Sequence, residues 1–466
     1  MKSKFRFLAT LLALTLCLAL VLSACKSADD SGGSGGGKVE EPVDDPNVTT
    51  ISVYTFTNEV TNMLTRYKEL HPDFPYDFDF TVLSTNEGTY QPGLDVALAS
   101  GNGPDIYCAE SAFVLKYTQG DYSSHAATYK QLGIDVDNKA KAADIAQYTI
   151  DIGTRDGEVV GLGYQATGSA YIYRRSIAID TWGTDDPAVI KTKIGPGWDQ
   201  FFVAAEELKA KGYGIVSGDG DIWHGIENSS DKGWVVDGKL YIDPKREAFL
   251  DHSKKLTDNN YHNDTQDWEE GWYADMMDAG AKQVLGFFGP AWLINYVMAG
   301  RSGDTYGDWA VCEPSVGFSW GGTWILGNKN SKVKNAVGQV IEWITLDTSD
   351  TGLQYFWANG TLLQDAQDAD LKAQFINDGI VKDTVASGVV MGKANGKIDF
   401  LGGQDMFDVF VPANQQANGN NLTQYDEDIN RLWRDQVRLY AAGSKSRDAA
   451  LEDFKAAIKD RFDIGS

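Results

Sequence analysis

Between Thr50 and Cys108 the hydrophobic pattern changes period repeatedly, and this restricts the fold more than any other stretch of the chain. Thr50 to Phe56 alternates apolar and polar side chains, as a strand does. From Asn62 to Leu70 the spacing becomes helical. His71-Pro72 ends it, because proline lacks the amide hydrogen a helix needs and clashes with the preceding turn. Asp77 to Leu83 reads as a second strand and Tyr90 to Ser100 as a second helix. The turn Gly101-Asn102-Gly103-Pro104 then leads into a short apolar strand, Asp105 to Cys108. Strand, helix, strand, helix, strand at this spacing demands parallel strands covered by helices, which is an α/β fold.

The same alternation continues downstream. Val159 to Gly163 reads as a strand leaving this unit and Ala170 to Arg174 as one entering the next. Gln200 to Lys211 is helical, with Phe201, Phe202, Ala205 and Leu208 on one side, and Tyr273 to Ala279 closes another helix before a buried strand, Gln283 to Phe288. Two helices fill Asp426 to Phe462: Ile429, Leu432, Trp433, Val437 and Tyr440 share one face, and Leu451, Phe454, Ile458 and Phe462 share the next, which assigns Trp433 to the core. A chain of 466 residues with this pattern suits two domains better than one.

Ahead of the folded body stands a leader. Lys2, Lys4 and Arg6 precede an apolar run from Phe7 to Leu22, shorter than the roughly 20 residues a membrane span prefers and without a charged stop, so it reads as a signal peptide over 1–24. Leu22-Ser23-Ala24-Cys25 resembles the lipobox of bacterial lipoproteins, which implies lipidation of Cys25 and anchoring on the outer face of the cell membrane. Two acyl chains give a stable anchor where one gives only marginal binding. Residues 25–47 contain Ser-Gly-Gly-Ser-Gly-Gly-Gly and then Glu40, Glu41, Pro42, Asp44, Asp45 and Pro46, a lipidated N-terminus and flexible tether that can bury almost nothing apolar.

A formal net charge of −25 makes nucleic acid an unsuitable partner. None of His71, His125, His224, His252 and His262 belongs to a metal-ligand spacing, and with Cys17 in the leader and Cys25 lipidated only Cys108 and Cys312 are left to pair. No metal and no cofactor are expected. The aromatic content is what stands out: 13 Trp and 21 Tyr, every tryptophan at or after Trp182. Indole faces stack on the apolar faces of sugar rings while carboxylates and amides bond the hydroxyls, so three or four of them are expected to touch ligand and the rest to be core.

Four segments in order resemble the extracellular sugar-binding proteins of ABC importers, the group that includes maltose-binding protein. They are Tyr67-Lys68-Glu69-Leu70-His71-Pro72, the stretch Ala97 to Tyr107, Gly289-Pro290-Ala291-Trp292, and Asp308 to Pro314 leading into Gly321-Gly322-Thr323-Trp324-Ile325. The resemblance implies a two-lobe, type II periplasmic-binding-protein-like α/β fold with the ligand cleft between lobes. Crossings fall near Val160, Trp309 and Gly360, giving 48–160 with 310–359 as the first lobe and 161–309 with 360–466 as the second. It further implies a monomer, not an enzyme, that captures a di- or oligosaccharide and delivers it to an ABC permease. In the family's sheet order the strand after the second crossing lies beside the third strand, which leaves a Cys108–Cys312 disulfide open.

Ligand should then lie at the carboxyl ends of strands. Asn58 and Glu59 follow the first strand and Glu110 and Ser111 the third, while Gln165 and Thr167 lie just past the first crossing. Asp219, Asp221 and Trp223 occupy a glycine-rich turn that exposes a carboxylate beside an indole. Trp292, displaced one residue from the family's usual aromatic after Gly289-Pro290, is the leading stacking platform. Trp320 and Trp324 flank Gly321-Gly322, where a backbone without side chains permits close approach and one of the two indoles faces the cleft. Gln404 and Asp405 follow Gly402-Gly403 in the same manner. Trp268 and Trp272, four apart on a helix, read as core or a surface stripe, and Trp357 fits either role. Two other readings stay open: a cell-tethered glycoside hydrolase or esterase, since paired carboxylates carry no sequence pattern of their own, and a binder of peptide, polyamine or metal.

Overall fold

A computed structural model describes residues 42–85 and 88–465. The leader, the Cys25 box and the glycine-rich tether up to residue 41 lie outside the described residues. Within them, no helix is long and apolar enough to cross a membrane.

The chain is tied down earlier than the tether reading to Asn47 allows. Asp44 accepts hydrogen bonds from the Asn335 and Ala336 amides at 2.8 and 3.0 Å, and the Asp45 amide donates to the Lys332 carbonyl at 2.9 Å. A carboxylate satisfies the orphan N–H groups of a helix start and sits favourably in its dipole, so the acidic stretch ends as a cap.

The principal elements of the first lobe are β1 (Thr50–Thr55), α1 (Asn58–Leu70), β2 (Asp77–Val82), α2 (Tyr90–Ala99), β3 (Ile106–Glu110), α3 (Gln147–Ile152) and β4 (Gly161–Gly163). The second lobe follows with β5 (Ser169–Arg174), α4 (Gly197–Lys209), α5 (Asp219–Ser229), α6 (Pro244–Asp258), α7 (Glu270–Met276), β6 (Gly286–Pro290) and β7 (Trp309–Cys312). The chain then returns through β8 (Thr323–Gly327), α8 (Lys334–Thr345) and α9 (Leu353–Asn359), and ends with α10 (Asp426–Ala441) and α11 (Arg447–Phe462). Helix α1 starts where the Thr57 hydroxyl accepts from the Glu59 amide, and it buries Val60, Met63, Leu64 and Tyr67 on one face.

The first sheet has the order β2-β1-β3-β8-β4, parallel among β1, β2 and β3, with β8 antiparallel to both β3 and β4. The second is β6-β5-β7, antiparallel throughout. Two crossings therefore come a few residues later than the resemblance implies. Strand β4 still pairs with β8 in the first sheet, so the chain leaves after Gly163 rather than near Val160, and β7 still pairs with β5 in the second, so the return begins after Cys312 rather than near Trp309. That placement separates the cysteines. Cys108 is buried in the core of the first lobe and Cys312 in that of the second, and both are free thiols, so no disulfide joins them.

Seven of the tryptophans, Trp223, Trp234, Trp272, Trp309, Trp324, Trp343 and Trp433, are buried; Trp182, Trp198, Trp292, Trp320 and Trp357 are half-buried, and Trp268 is exposed at 41%.

Candidate binding site

A cavity of about 350 Å³ lies between the lobes, toward the small end of the roughly 300–1,000 Å³ that ligand pockets occupy. Glu110 and Ser111 reach it from the carboxyl end of β3, and Tyr148 and Ile152 from α3. Helix α5 contributes Trp223, His224, Glu227 and Asn228, and α10 contributes Glu427, Asn430, Arg431, Arg434, Asp435 and Arg438. Trp268 comes from the loop before α7, Asn418 and Leu422 from the segment before α10, and Ser319, Trp320, Gly321 and Trp324 from the approach to β8.

Sheet register explains the last group. Thr323 pairs with Glu110, and the Ser111 amide donates to the Gly322 carbonyl at 3.1 Å, so the Trp320-Gly321-Gly322 segment is laid beside the end of β3. Gly321 and Gly322 have φ of 76° and 106°, a region other residues enter only with strain. A Cβ on Gly321 would stand 3.0 Å from the Trp292 indole nitrogen. Thr167 fastens the segment from the first crossing: its hydroxyl donates to the Gly321 carbonyl at 3.0 Å, and its carbonyl accepts from the Trp320 amide at 3.2 Å.

The indoles form a connected group. Trp320 lies flat against the His224 imidazole, with centroids 3.7 Å apart and planes 17° apart, and meets Trp292 edge-on at 4.8 Å. Trp268 lies parallel to Trp292 at 6.0 Å and edge-on to Trp320 at 6.0 Å. Because His224 covers one face of Trp320, the freest indole face in the cavity belongs to Trp268.

Burial sets the acid chemistry. It pushes the Glu110 carboxyl up to about 7, against hydrogen bonds from the Ala112 amide and Ser111 and with help from Glu427. Glu227 is also raised to about 7 by burial and by Asp426, and burial raises Glu427. Asp267 behaves oppositely: burial opposes its charge, but Arg434 and His224 hold it well below the usual carboxylate range. Arg434 Nη2 is 3.0 Å from Asp267 Oδ2 and His224 Nε2 3.6 Å from the same oxygen, while burial keeps His224 below the ordinary imidazole value. The cavity thus offers carboxyls able to donate near neutral pH, the amides of Asn228 and Asn430, the hydroxyls of Ser111 and Ser319, and apolar ring faces.

Of the residues singled out from sequence, Glu110, Ser111, Trp223, Trp320 and Trp324 line this cavity. The others are placed elsewhere. Asn58 is exposed at the start of α1. Glu59 faces Asp383, and burial first and then that neighbour raise Glu59 to about 8; burial likewise raises Asp383 to about 7. Gln165 donates to Asp383 at 3.5 Å, making a second acidic spot beside the first crossing. Asp221 is buried in α5 rather than displayed in a turn: its Oδ2 accepts from the Ser217 and Gly218 amides at 3.1 and 3.0 Å, as a helix start requires. Asp219 is likewise buried and receives the Ser253 hydroxyl at 2.7 Å. Trp223, although it reaches the cavity wall, packs on Phe249 within the core. Trp292 buttresses rather than faces the cavity, donating its indole N–H to the Trp320 carbonyl at 3.0 Å. Gln404 closes the edge of β7 through both Val311 backbone groups, and Asp405 accepts from the Gly396 and Phe407 amides. Trp357 packs between the two lobes' cores.

Trp268 is the main correction. It sits outside α7, which begins at Glu270, and has φ of 68°, so the four-residue spacing to buried Trp272 is not a helical stripe. Tyr148, His224, Glu227, Asn228 and Arg434 gave no separate signal, although the polar face of α10 opposite Ile429, Trp433 and Val437 was there to be read.

Solved structures show the same fold at low identity. The galacto-N-biose-/lacto-N-biose I-binding protein of the ABC transporter from Bifidobacterium longum, in complex with lacto-N-biose, is 17% identical over 91% of this chain and 100% of its own, with a TM-score of 0.65. The sugar-binding protein MalE from Xanthomonas citri is 13% identical over 88% of this chain and 97% of its own, at 0.63. The GacH receptor of Streptomyces glaucescens, solved unliganded and with acarbose, is 15% identical over 90% and 100%, at 0.61. No curated relative matches in sequence. The model of the bacterial extracellular solute-binding protein family, a family of binders and not of enzymes, matches residues 53–350, and with this two-lobe fold and its central cavity the chain belongs to that family.

Proposed function

We propose that the protein is the lipid-anchored receptor of an ABC importer, capturing a di- or oligosaccharide between its lobes and presenting it to a permease in the same membrane. The observation that carries the reading is the pair Trp268 and Trp320, set edge to face at 6.0 Å in a cavity whose other walls combine carboxyls, amides and hydroxyls with the guanidinium groups of Arg431, Arg434 and Arg438 and apolar side chains. A sugar ring needs both kinds of surface: a ring face for its C–H groups and hydrogen-bonding partners around its rim. The bound lacto-N-biose and acarbose of the structural neighbours support the ligand class. Anchoring rests on Leu22-Ser23-Ala24-Cys25, and Cys25→Ser should abolish incorporation of labelled fatty acid into the protein.

Isothermal titration against lacto-N-biose, maltotriose, xylotriose, mannotriose and a β-glucan tetramer tests the ligand. One of these is expected to bind stoichiometrically, with no new reducing ends, and Trp268→Ala should weaken it about 10- to 100-fold, the loss of roughly 1.5–3 kcal/mol of ring burial. Binding of spermidine with none of the sugars would overturn the reading.

A further inference from the structure

We propose that Asp267 is a positioning residue that sets both cavity indoles, Trp268 through the backbone and Trp320 through His224. The inference rests on the sugar-binding reading of the cavity. Asp267 has a side chain only 7% exposed and is gripped by Arg434 of α10 at 3.0 Å, with His224 of α5 packed beside it at 3.6 Å, outside hydrogen-bond distance. It also lies directly against the backbone of α5: a Cβ on Gly220 would fall 2.1 Å from its Oδ1, so only glycine leaves room for the carboxylate. The preceding residue is stitched to α10 as well, Arg438 Nη1 donating to Gln266 Oε1 at 2.6 Å.

The next residue is strained. A bulky side chain at φ 68° is an uncommon state that persists only where the surroundings over-determine it. Here the grip on Asp267 leaves the chain one way to turn, and that turn carries the Trp268 indole into the cavity instead of the core. The second arm is the imidazole. His224 packs against Asp267 at 3.6 Å and lies flat on Trp320 at 3.7 Å, so the carboxylate bounds on one side the ring that backs the second indole. A network that served stability alone would have no reason to hold a strained indole 41% exposed.

Near-ultraviolet circular dichroism of the ligand-free protein tests this apart from any sugar. The wild-type minus Trp268→Phe difference isolates the Trp268 signal. Asp267→Asn, which keeps size and removes charge, is expected to reproduce most of that difference with the far-ultraviolet spectrum unchanged, and to weaken whichever panel sugar binds at least tenfold. An unchanged near-ultraviolet spectrum in Asp267→Asn overturns the proposal. Should that variant fail to fold, His224→Gln leaves the Arg434 pair in place and must lose the Trp320 part of the spectrum; a wild-type spectrum there overturns it equally. Trp268→Gly is expected to melt above Trp268→Ala, and the reverse order would remove the strain on which the grip acts. If no panel sugar binds, the sugar reading fails while the spectra still decide the role of Asp267.

Discussion

Glu110 shows how one side chain can serve two protonation states. It hangs from the last residue of β3, accepts from Ser111 and Ala112, and has a carboxyl at about 7, so near neutrality it is part acceptor and part donor. Ligand entry removes more water and favours the neutral form further. Affinity for a bound sugar should therefore fall as pH rises through 7. Glu110→Gln, a permanent mimic of the protonated acid, should flatten that profile between pH 6 and 8.5 when dissociation constants are measured by titration. A profile of unchanged slope in the variant would assign the proton elsewhere. The contrast with Asp267 is instructive: both carboxyls are shielded, but only Asp267 has a guanidinium within 3.0 Å, and that neighbour decides which form survives.

At the scale of elements, the approach to β8 is the piece most exposed to a single substitution. Gly321→Ala must enter a φ of 76° and place a methyl 3.0 Å from Trp292, whose indole N–H holds the Trp320 carbonyl. A loss of about 1–3 kcal/mol in urea unfolding is expected, together with blue-shifted or weakened quenching of tryptophan emission by ligand; a variant of wild-type stability would show that the loop yields. This loop was legible in sequence because paired glycines announce left-handed backbone. So were β1, α1, β2, α2 and β3, where period and punctuation agree. Helix α5 was not, because Gly218-Asp219-Gly220-Asp221 has the composition of a turn, and only the folded chain shows Asp221 turning back onto the Ser217 and Gly218 amides. Trp268 was misplaced for a related reason: no local pattern announces positive φ in a bulky residue, since the cause is Arg434, far along the chain. Which lobe claims β4 and β7 was equally hidden, as pairing partners are not written in the strands themselves.

For the whole molecule, burial has raised several carboxyls at once: Glu59 to about 8, and Glu110, Glu227 and Asp383 to about 7. A raised acid contributes stability that is present below its unfolded value and lost as pH rises through its folded one. The melting temperature should accordingly climb as pH drops from 8.5 to 6.5. Below 6.5 the gain is opposed, because burial lowers His224, His252 and His262 and these must then accept protons that the unfolded chain takes more readily. Differential scanning calorimetry across that range checks the sign, and Glu59→Gln with Asp383→Asn should remove part of the slope. One further consequence follows from the docking of Asp44 on α8, ahead of β1. A pull applied at Pro42 meets that cap first and then β1, which is flanked by β2 and β3 and paired with β2 at six positions from Thr50 to Thr55. Such a load runs along the strand and must shear both ladders together instead of peeling one bond at a time, so the first sheet resists it as a unit.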